Sequence, residues 1–112
     1  MVNNGNSKNH IEYSYFLTSI LGNKVIWNNK KIGNLGDMAI QDGDIAEVTH
    51  FYITRSFGYP SLLVPWEKVK SVNARDIVID IEELEKYQSE PAENMILLRD
   101  HVPRSGILWR IR

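Results

Sequence analysis

The chain has 112 residues, 43% apolar and 24% charged, with 13 Lys and Arg against 14 Asp and Glu. That is one domain with a single modest core, and a net charge of -1 excludes a global field drawing it to nucleic acid or anionic membrane. The absence of Cys excludes disulfide staples, thiolate nucleophiles and Cys-based metal centres and fits a reducing, cytoplasmic setting.

Residues 1–12 read as a disordered lead-in. Asn3, Asn4, Gly5, Asn6 and Ser7 cannot bury enough apolar surface to offset their ordering entropy, and no apolar run there resembles a signal peptide. Apolar runs such as Leu62-Leu63-Val64-Pro65-Trp66 fall far short of the ~20 residues needed to cross a bilayer. No membrane insertion is expected.

From about Tyr13 to Ile81 the pattern is β. Asn23–Trp27 is a first strand, followed by a tight turn at Asn28-Asn29-Lys30, where Asn tolerates the left-handed backbone a hairpin requires. Lys31–Ile40 is a second strand, with Gly33 and Gly36 marking a bulge or a bend. Gln41-Asp42-Gly43-Asp44 is a turn. Ile45–Arg55 is a long third strand, with Ala46, Val48, His50 and Tyr52 on one face and Glu47, Thr49, Phe51 and Ile53 on the other. Ser56–Pro60 is a loop, and Ser61–Val64 is a fourth strand stopped by Pro65. Asp76–Ile81 is a fifth, with Ile77, Ile79 and Ile81 on one face.

The character then changes. Eight of the 14 acidic residues (Asp76, Asp80, Glu82, Glu83, Glu85, Glu90, Glu93 and Asp100) lie between positions 76 and 100. Glu82–Gln88 suits a short acidic helix, with Leu84 and Tyr87 three apart. Pro103–Arg112 ends the chain with Arg104, Arg110 and Arg112 and no acid. Residues 82–112 therefore read as a helix plus a C-terminal extension. Within them Leu97–Val102 matches the apolar–polar pattern of Phe16–Leu21. Two readings stay open: a truncated second unit beginning near Met95, or a segment that docks on the barrel.

Three stretches carry a family likeness. Leu17–Val25 with Lys31–Asp37 gives a serine, a leucine–glycine corner at Gly22, a strand, a turn, then Ile32-Gly33 and a downstream Asp37. Leu63-Val64-Pro65-Trp66-Glu67-Lys68-Val69 is a strand, a Pro-Trp corner, a short turn and a valine. Asp76-Ile77-Val78-Ile79 is a closing strand. In this order and spacing they resemble the PRC-barrel family over about residues 13–81. The first turn departs from it, with Asn28-Asn29 where Asp-Gly is common, a chemically tolerable exchange.

The resemblance implies a small, mostly antiparallel β-barrel of five or six strands that performs no catalysis and needs no cofactor. PRC-barrel segments support assembly in the cytoplasmic subunit of photosynthetic reaction centres. A similar barrel in a ribosome-maturation factor binds a ribosomal protein. In some longer relatives such segments precede other domains, including magnesium-transporter-related ones. Gly22, Gly33, Asp37, Pro65 and Trp66 are the structural motif. Trp66 is expected to fold over a barrel end, at a cost of about 3–5 kcal/mol if truncated to Ala. Incomplete closure of so short a barrel leaves an edge strand, so a homodimer is expected, with Met95–Arg112 contributing.

Little else points to chemistry. His10, His50 and His101 lack metal-ligand spacing, and Asp42-Gly43-Asp44 lacks the later ligands of a calcium loop. Asp37 reads as a strand-end hydrogen-bond acceptor. No nucleophile elbow or phosphate-cradling loop appears, and an enzyme is not expected. The best functional reading is a protein-interaction or assembly module, with Phe57, Tyr59, Trp109 and Arg110 as its surface. The acidic stretch Asp76–Glu93 supports a rival, a ligand- or metal-sensing domain linked to ion transport. Phe51, Tyr52, Phe57 and Tyr59 near Arg55, with the basic tail, keep a weaker RNA-binding option open.

Overall fold

The computed structural model describes residues 19–41 and 47–101. Among these residues seven strands form one curled sheet: β1 (Lys24–Trp27), β2 (Lys30–Gln41), β3 (Glu47–Thr54), β4 (Leu62–Pro65), β5 (Val69–Val72), β6 (Asp76–Ile79) and β7 (Ile96–Leu97). Their order across the sheet is β4-β3-β2-β1-β6-β5, with β7 added to β2. Every described pairing is antiparallel except β1 with β6. The result is a half-barrel. β4 leads into β5 through a single 3-10 turn, Trp66–Lys68, and these two strands form the ends of the sheet.

The β1–β2 hairpin turns on Asn28 and Asn29, at φ 51° and 65°. Two successive left-handed residues make the turn type whose twist matches that of its strands. The long strand β2 then curls because extra residues interrupt its ladders. Ile32 is unmatched against Val25/Ile26, and Gly36 against Ile53/Tyr52. Each bulge adds local twist and bends the strand.

A third bulge corrects the expected facing of β3. Ile40 pairs with Val48 and Ala39 with His50, leaving Thr49 as the extra residue. Inward positions therefore shift phase there. Val48 is buried on one side of the bulge and Phe51 and Ile53 on the other, whereas strict alternation would set Val48 opposite them. His50 and Tyr52 are half-buried.

β5 is an element that the sequence pattern did not reveal. Its four residues include exposed Lys70 and Ser71, too polar to register as a strand. It forms because β6 offers a free flank, pairing Val69 with Ile79 and Val72 with Ile77. The short acidic helix is also corrected, to one 3-10 turn at Glu85–Tyr87. Seven residues cannot by themselves overcome the cost of helix nucleation, and the following chain is claimed by the sheet. Gln88 bridges to Leu62, and the Ser89 N–H donates to Ser61 O at 3.1 Å.

The core lies inside the curl. Val25, Leu35, Met38, Phe51, Ile53, Leu62, Val64 and Ile77 are fully buried, joined by Ile20, Ile79, Ile81 and Leu98. Leu98 opens a single α-helical turn, Leu98–His101, directly after β7 pairs with Ala39 and Ile40. Residues 96–98 thus join the sheet and core formed by the β strands before residue 82.

Candidate functional site

Two structures meet at one end of the sheet: the tip of the β1–β2 hairpin and the loop joining β3 to β4. β3 stops at Thr54. Gly58, at φ +95°, lets the chain reverse, and the Tyr59 N–H donates to Ser56 O at 3.0 Å. The Arg55 Nε donates to Ile32 O at 3.0 Å, fastening the base of the loop to β2. The guanidinium lies 4.8 Å from the centre of the Tyr59 ring, within cation–π range.

Between hairpin and loop is a cleft of about 620 Å³, within the span of small-ligand clefts, about 300–1,000 Å³. Its chemistry is asymmetric. Lys30, Lys31 and Arg55 line it together with Trp27 and Tyr59, and no carboxylate among the described residues does. The salt bridges among the described residues are Lys86–Glu82 and Arg99–Asp37, so none of these three cations is ion-paired there. The Trp27 indole N–H is already committed to Ile81 O at 2.8 Å, which fixes that wall. On the same loop Phe57 is fully exposed, with relative exposure 104%, and Tyr59, which lines the cleft, stands at 62%.

The aromatics grouped by sequence separate here. Phe51 is core, packed edge-on against Trp66 at 5.3 Å and 62°. The Tyr52 hydroxyl donates to Glu90 Oε1 at 2.6 Å and lies 3.2 Å from Ser61 Oγ. Burial first, and the Glu90 hydrogen bond second, push its ionisation above the ordinary tyrosine value of 10.0. Phe57 and Tyr59 alone remain as a surface pair.

The five motif residues are architectural in placement. Gly22 adopts φ +93°, and its N–H donates to Leu35 O at 2.7 Å. Gly33 lies against β3, where a Cβ would collide with the Thr54 carbonyl oxygen and come within 2.9 Å of Ile53 Cγ2. Asp37 is buried beside the Gly36 bulge, in mid-strand. Its Oδ1 accepts the N–H of Met38 at 2.8 Å and of Arg99 at 3.2 Å, tying the terminal helical turn to β2. Pro65 is the last residue of β4, opposite His50, and Trp66 is half-buried.

Trp109, Arg110 and the Asp42-Gly43-Asp44 turn lie outside the described residues, as do residues 1–12 and His10. The His50 Nδ1 is 3.0 Å from the Thr49 hydroxyl. No group of three or more His, Asp or Glu converges as a metal site among the described residues. Part of the acidic stretch is internally paired: Glu82 accepts from Lys86 at 2.8 Å and Tyr87 at 2.9 Å. Those bonds, led by Lys86, hold its carboxyl down at about 2.

Lys30, Lys31 and Arg55 carry no signal along the chain that marks them as a group. Only the hairpin turn and the β2–β3 pairing bring them together. Fold and site together define a curled β domain with a cationic cleft lined by Trp27 and Tyr59. Comparison with protein-family models, curated proteins and solved structures yields no match. No helix among the described residues is long and apolar enough to cross a membrane.

Proposed function

We propose that the chain is a non-catalytic interaction module of PRC-barrel type, using the β3–β4 loop as its contact surface. The observation carrying this reading is the pair of exposed rings, Phe57 and Tyr59, on a loop tied to the sheet by Arg55. Single exposed apolar residues are commonplace. Two rings presented together on a braced loop are the usual anchors of an interface, because they bury much area while losing few rotamers.

Self-pairing belongs to the same proposal, and the loop suits it better than the sheet edges. β5 is only four residues long and carries exposed Lys70, which discourages edge-to-edge pairing. The edge of β4 is partly covered by Gln88 and Ser89. Light scattering over a dilution series should give about twice 12.9 kDa, falling to the monomer mass in Phe57→Ser/Tyr59→Ser. A wild-type chain that stays monomeric, and binds no stoichiometric partner through these rings, would defeat the reading.

A further inference from the structure

We infer that the cleft between the β1–β2 hairpin and the β3–β4 loop binds single-stranded nucleic acid, with the phosphates on Lys30, Lys31 and Arg55 and a base stacked on Tyr59. This rests on the reading of the loop as a contact surface, and makes the strand a competitor of self-pairing for the Tyr59 ring.

Among the described residues, three cations line the cleft without a carboxylate, and none of them is ion-paired. An unpaired cationic lining favours an anion. The aromatic lining narrows the choice of anion. Arg55 lies over the Tyr59 ring, while the residue's 62% exposure leaves ring surface for a second planar group. Phe57, two residues earlier, offers another open ring. Cations tracking a backbone beside aromatics that stack bases are the two components of sequence-tolerant single-strand binding.

An acidic peptide would satisfy the lysines but leave both rings without a planar partner. A duplex keeps its base faces stacked inside and is too wide for a cleft of about 620 Å³.

The test is fluorescence anisotropy with a labelled ten-nucleotide oligouridylate across a salt series. Three phosphate contacts give log K against log salt a slope of about −2. Lys30→Met/Lys31→Met should flatten the slope to about −0.7. Tyr59→Ala should weaken binding roughly 5- to 100-fold at unchanged slope, because stacking carries no counterion release. All three residues lie at the surface, so melting curves should show these variants folded. An abasic oligomer should bind weakly and ignore Tyr59→Ala.

Binding of deca-glutamate as tight as that of the oligonucleotide would overturn the inference. So would equal affinity for the abasic strand or for uridine monophosphate, or no saturable binding at low salt. If oligonucleotide binding fails while mass still depends on Phe57 and Tyr59, the nucleic-acid inference falls alone. If both fail, the contact-surface reading falls with it.

Discussion

Adding one methyl group at position 33 should damage this protein far more than adding it three residues later. An alanine Cβ at position 33 would run into the Thr54 carbonyl oxygen, with Ile53 Cγ2 at 2.9 Å and Arg55 Cγ at 3.2 Å. The main obstacle is backbone, which no rotamer change moves, so β2 and β3 must separate locally. Overpacking of this kind costs about 1–3 kcal/mol and occasionally more, and a backbone obstacle belongs at the upper end, about 3 kcal/mol. At position 36 the closest atom is the Thr54 Cγ2 methyl at 2.6 Å. Rotation of that exposed side chain relieves the clash. The reduced entropy of the unfolded chain gives back about 0.4–1 kcal/mol, leaving Gly36→Ala within about 1 kcal/mol of wild type. At about 4 °C per kcal/mol for a domain of this size, Gly33→Ala should melt at least ~10 °C lower and Gly36→Ala within ~4 °C. Thermal melts by circular dichroism, with urea midpoints at constant m-value, measure both. Equal shifts, or a Gly33→Ala protein as stable as wild type, would refute the close approach of β2 to β3.

Trp66→Ala should cost about 2–3 kcal/mol, below the full-burial figure of about 3–5, because the ring, packed edge-on against Phe51, is only half-buried; urea titration reads it. Leu98→Ala should cost about 2–5 kcal/mol, since Leu98 is 2% exposed in the shared core, and a melting point unchanged from wild type would detach the final helical turn from the domain. Carboxyl NMR should place the Glu82 midpoint at about 2, returning toward the ordinary glutamate range in Lys86→Met. A depressed carboxylate supports the fold above its unfolded value, and that support should fade as pH falls toward 2. For Tyr52 the sign reverses: its raised ionisation gives a contribution fully present below pH ~10 and lost as the phenol ionises in stronger alkali, followed by ultraviolet titration.

Much of the scaffold was legible in local chemistry. Paired asparagines announce a hairpin because both tolerate left-handed backbone, and Ile77 and Ile79 announce an inward face because strands alternate. What escaped depends on distant partners. Val69–Val72 is a strand only because β6 lacks a neighbour on that side. The inward face of β3 changes phase at Thr49 through its register with β2, which alternation alone cannot foresee. Glu82–Gln88 carries a helical spacing, but its end is drawn into contact with β4. For the candidate site, Phe57 and Tyr59 stood out as aromatics, yet so did Phe51 and Tyr52. The register of β3 settles Phe51 and Tyr52, while Phe57 and Tyr59 lie on the loop beyond its end. Lys30, Lys31 and Arg55 give no local signal, because their meaning comes from a shared cleft.

The parallel ladder between β1 and β6 has a consequence for how the chain is made. It joins Lys24 to Asp76, whereas the β1–β4 meander pairs only successive strands. During synthesis the meander can assemble as it emerges, because its loops are short and cheap to close. One flank of β1 must wait with its amides and carbonyls unsatisfied until Asp76–Ile79 has left the ribosome. Through that interval the newborn chain exposes a sticky seam to its neighbours.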